Sequence, residues 1–221
     1  MAEQKIREAG SRGADFVVLP EMFQSPYETS QFSVYAETAD GESAKRLSRA
    51  AKEAQVYLIG GTMGVGKTTT CHLLKEKLEN SVFLDGDWCW DMHPFIVNEE
   101  TRKMVMENIV FLLNQFIHCS AYQHIIFGWV MHEQSILDDI TRQLDLSDCR
   151  LHAVSLVCSP EALKARLQRD IDAGLRQPDV LDRSIPRLPL YDRLKTTKID
   201  VSDCSPEQAA EQIMQLADQS E

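Results

Sequence analysis

The chain has 221 residues, an apolar fraction of 43% and a formal net charge of −11 at pH 7. This length fits one α/β domain, alone or with an appendage. The acidic balance argues against general nucleic-acid binding, because phosphate backbones would be repelled. The sequence contains no stretch of 18 apolar residues and no signal-peptide core, so we expect a cytoplasmic protein without a membrane partner. Six scattered cysteines without a C-x-x-C pair argue against structural zinc and disulfides.

The first 55 residues predict an appendage made of a helix, a strand, a long polar loop and a second helix. The helices are expected at Ala2–Ser11 and Glu42–Ala54, and the strand at Phe16–Leu19. The second helix has an apolar stripe opposite a basic face, and it leads directly into the next strand.

Several motifs in this segment resemble the amino-terminal part of the nitrilase/ω-amidase superfamily, in the right order. They are A-D-F-V-V-L-P-E-M-F-Q-S-P-Y (14–27), Y-A-E (35–37), G-E-S (41–43), L-S-R-A-A-K-E (47–53) and V-Y-L-I-G-G-T (56–62). The resemblance places Glu21 at the family's catalytic glutamate. The lysine and the cysteine nucleophile that this family also needs have no counterpart after Thr62. Because one member of a three-residue set cannot perform covalent amide chemistry, Glu21 is expected to be a solvated or helix-capping carboxylate.

From residue 56 onward, short apolar runs alternate with helical patterns, which predicts a mostly parallel sheet covered on both faces. The expected strands are Val56–Gly60, Val82–Asp85, His124–Val130, His152–Cys158 and Thr197–Val201. The expected helices are Thr68–Leu78, Glu99–Cys119, Gln134–Leu144, Pro160–Ala173 and Pro206–Ala217. The fold class is therefore α/β with a five-stranded parallel sheet, and the domains are residues 1–55 and 56–221.

Residues Gly61–Thr68 read G-T-M-G-V-G-K-T, a full match to the phosphate-binding pattern G-x-x-x-x-G-K-[ST] between a strand and a helix. Glycines let successive backbone N–H groups surround a polyphosphate at a helix N-terminus. Lys67 would reach the β- and γ-phosphates, and Thr68 would ligate Mg²⁺. The predicted phosphate contacts are Gly61, Met63, Gly64, Val65, Gly66, Lys67, Thr68 and Thr69.

Acidic residues end the second strand of this part, at Asp85-Gly86-Asp87. Parallel sheets bind ligands beyond the carboxyl ends of their strands, so both carboxylates should face the terminal phosphate. One would accept the proton of an acceptor hydroxyl, and Asp85 is also a candidate for Mg²⁺ through water. The residues do not separate the roles of Asp85 and Asp87. The aromatic residues that follow fit either an acceptor wall or an ordinary core; they are Trp88, Trp90, His93 and Phe95.

Two further groups lie near the expected site. His132-Glu133-Gln134 ends the third strand without the aspartate of a standard Walker B motif, which argues against a motor ATPase. Arginines cluster later in the chain, and guanidinium groups suit phosphate oxygens: Arg166, Arg169, Arg176, Arg183, Arg187 and Arg193. Salt bridges to the many nearby aspartates are the alternative. The segment from Asp182 to Tyr191, with its two prolines, predicts irregular structure.

The motifs I-G-G-T-M-G-V-G-K-T-T-T-C (59–71) and F-L-D-G-D-W-C-W (83–90) resemble small-molecule P-loop kinases of the nucleoside-monophosphate, shikimate and chloramphenicol phosphotransferase type. This resemblance implies the three-layer αβα P-loop NTPase fold, with ATP and Mg²⁺ as cofactors. It also implies a mobile lid that brings Arg183 and Arg187 onto the phosphates. By the same resemblance, Arg166 and Arg169 contact the nucleotide and the loop 202–206, with Pro206, borders the base.

The two resemblances overlap at Ile59-Gly60-Gly61-Thr62, because both families have a strand that ends in this same sequence pattern. We therefore interpret the chain as a chimera, in which a nitrilase-like helix and strand replace the kinase's own first strand; an ordinary kinase with an unusual extension is the alternative. In a central strand, the Tyr57 hydroxyl would need a hydrogen-bond partner. For function, phosphoryl transfer to a small molecule is the leading hypothesis. A nucleotide-binding module without an acceptor and a nitrilase-type amidase are the competing ones.

Overall fold

The computed structural model describes residues 54–218 without interruption, and before them residues 2–10, 12, 14, 16–19, 32–38, 41, 43, 44 and 47. The chain divides into two compact units, Met1–Glu53 and Ala54–Glu221. Glu21 and most of the expected helix Glu42–Ala54 lie outside the described residues. The last residue of that expected helix, Ala54, belongs instead to a strand, because its N–H bonds to the carbonyl of Asp148.

The described residues of the first unit include the helices α1 (Ala2–Gly10) and α2 (Phe32–Tyr35). Ser43, Ala44 and Leu47, the described residues near the start of the expected helix Glu42–Ala54, are helical as well. The strand expected at Phe16–Leu19 is wrong, since these residues have no regular structure. Phe16 and Val18 are 91% and 94% exposed. A strand needs a neighbour to pair its backbone, and no described residue of this unit forms one.

Five parallel strands form one sheet in the second unit, which confirms the expected architecture. They are β1 (Ala54–Gly60), β2 (Ser81–Asp85), β3 (His124–Trp129), β4 (Cys149–Val157) and β5 (Thr197–Asp200). Their order in space is β2-β3-β1-β4-β5. The central strand β1 pairs with both β3 and β4, and its residues Val56–Ile59 are at most 1% exposed. A strand enclosed on both faces explains this unbroken apolar run.

The tyrosine in this central strand has the partner that its hydroxyl requires. Tyr57 Oη lies 3.4 Å from Nδ1 of His124, and its ring stacks on that of His152 at 5.1 Å. Burial and the neighbouring His152 lower the pKa of His124. A neutral imidazole can therefore serve the buried hydroxyl.

Helices cover both faces of the sheet. The expected long helices are present as α3 (Lys67–Lys77), α4 (Glu99–His118), α5 (Gln134–Gln143), α6 (Pro160–Asp172) and α9 (Pro206–Asp218). One apolar core joins Tyr57 and Ile59 of β1 to α3, α6 and α9, and the other joins Val56 and Leu58 to α4 and α5. Because alternate residues of β1 enter different cores, the unit has the three layers of the P-loop NTPase fold.

The segment 182–191, expected to be irregular, contains two short helices, α7 (Val180–Ser184) and α8 (Leu188–Tyr191), joined by a 3₁₀ turn at Ile185–Arg187. Its two prolines occupy first-turn positions, where the missing N–H costs nothing, so they begin helical turns instead of preventing them. Among the described residues, no helix is long and apolar enough to cross a membrane.

Candidate functional site

The loop between β1 and α3 has the backbone conformation of a phosphate cradle. Gly64 and Gly66 adopt positive φ angles of 82° and 110°, which residues with side chains rarely tolerate. A Cβ on Gly64 would also lie 2.3 Å from Cδ2 of Leu167. The glycine at position 64 is therefore required both by the turn and by the packing of α6 beneath it.

The N-terminus of α3 follows this loop and has no side-chain cap, because the N-cap residue is Gly66. The helix begins its own hydrogen bonding with the N–H of Thr70, which donates to the carbonyl of Gly66 at 3.0 Å. An uncapped first turn leaves N–H donors and a partial positive charge for an anion. The loop and helix together fit a polyphosphate, as the sequence predicts.

Lys67 lies across the loop and donates from Nζ to the carbonyl of Thr62 at 3.0 Å. Burial lowers the pKa of Lys67 to about 8, although the negative charges of Asp87 and Asp85 act in the opposite direction. The ammonium is thus held with little water around it. Additional negative charge from phosphate groups would favour its protonated form.

Thr68 and Asp85, the two predicted metal ligands, are in direct contact. Oγ1 of Thr68 donates to Oδ2 of Asp85 at 3.1 Å, and Oδ1 of the same carboxylate accepts from the backbone N–H of Asp87 at 3.0 Å. Oxygen ligands of this kind suit Mg²⁺, which binds proteins through one or two groups together with substrate phosphates. The described residues contain no cluster of three or more His, Cys, Asp or Glu that would hold a metal alone.

The second carboxylate of this strand end, Asp87, has a different environment. Burial and the negative charge of Asp85 raise the pKa of Asp87, while Lys67 and a hydrogen bond from the Trp129 side chain act against that rise. Between the two acids, Gly86 is approached so closely by Trp129 that a Cβ there would lie 2.5 Å from its Cγ. The glycine lets β3 pack against the acidic turn and supply the indole.

The predicted arginines occupy different environments. Arg166 donates to the backbone carbonyls of Val65, Val201 and Ser202, so it ties the phosphate loop to the loop after β5. Three of the others have different contacts: Arg169 bonds to Ala165 of its own helix, Arg183 pairs with Asp179, and Arg187 acts electrostatically on Tyr191.

Arg176, which the sequence placed only within the general arginine cluster, acts electrostatically on both Lys67 and Asp87. Its Nε donates to Asp170 at 2.9 Å. The residue lies in the connection between α6 and α7, after Gly174, which has a φ of 72°. A left-handed glycine that ends the helix turns the chain there. This local signal is visible in the sequence, but it does not say where the arginine points.

The loop 202–206 and the end of β3 are held by structural hydrogen bonds. Ser202 Oγ accepts a hydrogen bond from the N–H of Ser159. Pro206 is the first residue of α9, and Oγ of the preceding Ser205 caps the helix by accepting from the N–H of Gln208. At the other end, His132 Nδ1 lies 3.1 Å from the carbonyl of Val130. Gln134 Oε1 accepts from the N–H of Lys195.

Two residues that the sequence analysis missed support the phosphate loop from below. The hydroxyl of Thr62 donates to the carbonyl of Ser184 at 2.9 Å. The buried Tyr191 hydroxyl accepts a hydrogen bond from the backbone of Gly61 and donates to the carbonyl of Val130 at 3.4 Å. Thr62 occupies an unspecified position of the motif, so the pattern alone carries no signal for it.

Comparison with known proteins finds both parts of the chain. The carbon-nitrogen hydrolase family matches residues 1–88 and the AAA domain family matches residues 58–177. Omega-amidase NIT2 of Xenopus tropicalis is 55% identical to this chain in the matched segment. That segment covers 26% of this chain and 21% of the omega-amidase. Nitrilase homolog 2 of Dictyostelium discoideum is 45% identical over 35% of this chain, which spans 26% of that protein. The nitrilase resemblance of the first part is confirmed.

Solved structures similar to this one cover the second part. The tunicamycin resistance protein of Deinococcus radiodurans has a TM-score of 0.58 at 23% identity, over 74% of this chain and 95% of that chain. Shikimate kinase from Acinetobacter baumannii, in complex with shikimate, has a TM-score of 0.51 at 22% identity, over 79% and 98%. These similarities confirm the P-loop NTPase fold of the second part. Because the AAA domain match extends over more than half of the 221 residues, the chain belongs to the AAA domain family.

Proposed function

We propose that the chain binds ATP with Mg²⁺ and transfers the γ-phosphoryl group to a hydroxyl or phosphate of a small molecule. The proposal assigns this activity to residues 56–221 and treats residues 1–55 as a nitrilase-like fragment. The free cysteines, together with the acidic composition, fit a cytoplasmic location. Similarity to shikimate kinase and to other P-loop kinases supports the reaction class.

The observation that carries the proposal is the connected set Thr68–Asp85–Asp87 beside Lys67. Thr68 and Asp85 would hold the metal, which would neutralise charge on the phosphates. The raised pKa of Asp87 suits a general base, because a carboxylate with a higher pKa accepts a proton more readily. In the reaction, the acceptor oxygen bonds to the γ-phosphorus, the bond to the β,γ-bridging oxygen breaks, and the hydroxyl proton passes to Asp87.

The remaining assignments follow the phosphate loop outward. The N–H groups of residues 61–69 and the ammonium of Lys67 would hold the donor phosphates. Arg176 would supply the guanidinium contact that the kinase resemblance implied for Arg183 and Arg187, since Arg176 acts electrostatically on both Lys67 and Asp87. Arg166 would hold the loop against residues 201–202, and Pro206 would border the base.

A second candidate is a recombined chain that binds nucleotide but transfers nothing. The observation that favours it is the overlap of the two family matches over residues 58–88, the stretch that holds the phosphate loop. A displacement of about 1 Å in such a loop can lower the rate on the order of 100-fold. An amidase is not favoured, because the nitrilase match ends at residue 88 and spans about a quarter or less of the relatives.

The test is nucleotide binding followed by turnover. Calorimetry with a non-hydrolysable ATP analogue should detect Mg²⁺-dependent binding that Lys67→Ala abolishes, while the exposed Lys164→Ala on α6 leaves it unchanged. Release of ADP that depends on an added acceptor would then support phosphoryl transfer. Binding without acceptor dependence would support the second candidate, and unchanged affinity in Lys67→Ala would refute both.

A further inference from the structure

The surface that continues from Asp87 is unusually apolar. Most of the exposed large apolar side chains of residues 54–218 fall between Trp88 and Met104. Trp88 is 61% exposed and Phe95 is 68% exposed, and Ile96 and Val97 are each about half exposed. Exposed apolar groups that gather in one place usually mark a binding surface, whereas isolated ones need no explanation.

Two of these side chains have aromatic neighbours. The ring of Trp88 lies 6.1 Å from that of Phe83 on β2, and the ring of Trp90 lies 5.9 Å from that of Phe95. The turn that carries Trp88 begins at Asp85, whose carboxylate caps it through the N–H of Asp87. The aromatic wall, which we define as Trp88, Trp90, Phe95, Ile96 and Val97, therefore adjoins the acidic turn directly along the chain.

The segment that contains the aromatic wall, residues 78–101 between Lys77 and Arg102, has acidic side chains but no lysine or arginine. Its carboxylates are Glu79, Asp85, Asp87, Asp91, Glu99 and Glu100. The cations that act on Asp87 are Lys67 and Arg176, and the proposed function assigns both to the donor phosphates. Within this segment, an anionic acceptor on the aromatic wall would thus meet carboxylates but no lysine or arginine.

We propose that the acceptor is an alcohol with an apolar or aromatic body and no negative charge, and that this body lies on the aromatic wall while the hydroxyl points to Asp87. This inference rests on the proposed function and narrows it. It excludes nucleoside monophosphates and sugar acids as acceptors, because both would bring negative charge to a segment that lacks lysine and arginine. Aromatic side chains bind such a body through stacking and buried apolar area.

The experiment compares two alcohols that differ in one charge. ADP release from ATP with Mg²⁺ is measured with 2-phenylethanol and with its carboxylate analogue, 4-(2-hydroxyethyl)benzoate. The neutral alcohol should have a kcat/KM at least about tenfold higher, the difference expected from one unpaired charge of roughly 1.4 kcal/mol. Equal or better use of the carboxylate would overturn the inference.

Variants test whether the aromatic wall determines the preference for the neutral alcohol. Val97→Lys should reduce the preference for the neutral alcohol about fivefold or more, since it supplies the missing cation. Phe111→Lys is the matched control, because Phe111 is 62% exposed on α4 outside the wall and should leave the preference unchanged. Equal effects of the two variants would count against the wall.

Binding gives a readout that does not need turnover. With ADP and Mg²⁺ present, tryptophan emission should change on addition of 2-phenylethanol, and Trp88→Ala should weaken that binding about tenfold. If neither alcohol binds below roughly 10 mM, the inference fails. Loss of nucleotide affinity in Lys67→Ala, combined with equal use of both alcohols, would refute this inference while leaving the proposed function intact.

Discussion

The hydroxyl of Thr62 donates a hydrogen bond to the backbone carbonyl of Ser184 at 2.9 Å, and both residues are fully buried. The first residue belongs to the phosphate loop and the second ends α7. The bond therefore fixes the base of the loop to a helical segment far along the chain. Because both groups are buried, water cannot take the place of either partner if the hydrogen bond is lost. The geometry of the loop therefore depends on this pair.

Thr62→Val should loosen the phosphate loop while preserving its shape. The change leaves the Ser184 carbonyl without its donor, so we expect a loss of about 1–3 kcal/mol in the free energy of unfolding. Nucleotide affinity should fall as well, because the loop loses a fixed point. Urea unfolding and calorimetry measure the two effects. Thr62→Ser keeps the hydroxyl and should remain close to the wild type; an equal loss in both variants would contradict the role of the bond.

Tyr191→Phe should weaken nucleotide binding from a distance. The phenol accepts from the backbone of Gly61 and donates to the carbonyl of Val130, which His132 also contacts. Removal of the phenol therefore leaves the buried backbone group of Gly61 without its acceptor. We expect a destabilisation of about 1–3 kcal/mol and a rise in the Kd for ATP. Tyr122→Phe is the control, since Tyr122 packs on Phe116 away from the loop. A normal Kd in a clearly destabilised Tyr191→Phe protein would show that the phenol acts on stability alone.

The sequence predicted the sheet well because each strand carries its own local signal. Val56–Ile59 is an apolar run too short for a helix, and the phosphate pattern follows it at a fixed distance. Ser159 and Ser205 each precede a proline and a glutamate, and both serve as helix caps in the structure. These features depend on neighbours in the chain, so they can be read without the fold.

What the sequence could not predict depends on contacts between distant segments. Phe16–Leu19 has the composition of a strand, yet a strand also needs a partner, and composition says nothing about one. Pro186 and Pro189 suggested irregular structure because their positions within the helical turns were not visible. Likewise, the choice among arginines depends on side-chain direction, and it separates Arg176 from Arg183 although both lie in one polar segment.

Asp87→Asn should separate chemistry from binding. If Asp87 accepts the proton of the acceptor, the amide should lower acceptor-dependent turnover by roughly 10²- to 10⁴-fold while the Kd for ATP with Mg²⁺ changes little. The wild-type protein should lose kcat/KM as the pH falls through the raised pKa of Asp87, because the protonated acid cannot act as a base. Asp203→Asn, in the loop after β5, is a control. Turnover that survives in Asp87→Asn with an unchanged pH profile would remove the base from this residue.

Lys67→Met should stabilise the free protein while abolishing its nucleotide affinity. Burial lowers the pKa of Lys67 from 10.5 to about 8, so the folded state holds the ammonium less favourably than the unfolded chain does. The resulting destabilisation is present in full below pH 8 and disappears as the pH rises from about 8 towards the unfolded value of 10.5. At pH 7, the free energy of unfolding of the variant should therefore exceed that of the wild type by up to about 3 kcal/mol.

The pH dependence distinguishes this cause from a gain in packing. Urea unfolding of the wild type and of Lys67→Met should give a difference that is large at pH 7 and small above about pH 11, because the lysine is mostly neutral in both states there. A packing gain would persist at both pH values. Lys164→Met, on the exposed side of α6, should show no difference at either pH. If Lys67→Met stabilises the protein and Lys164→Met does not, the free protein tolerates a buried charge at Lys67. Bound phosphate groups would then compensate this charge.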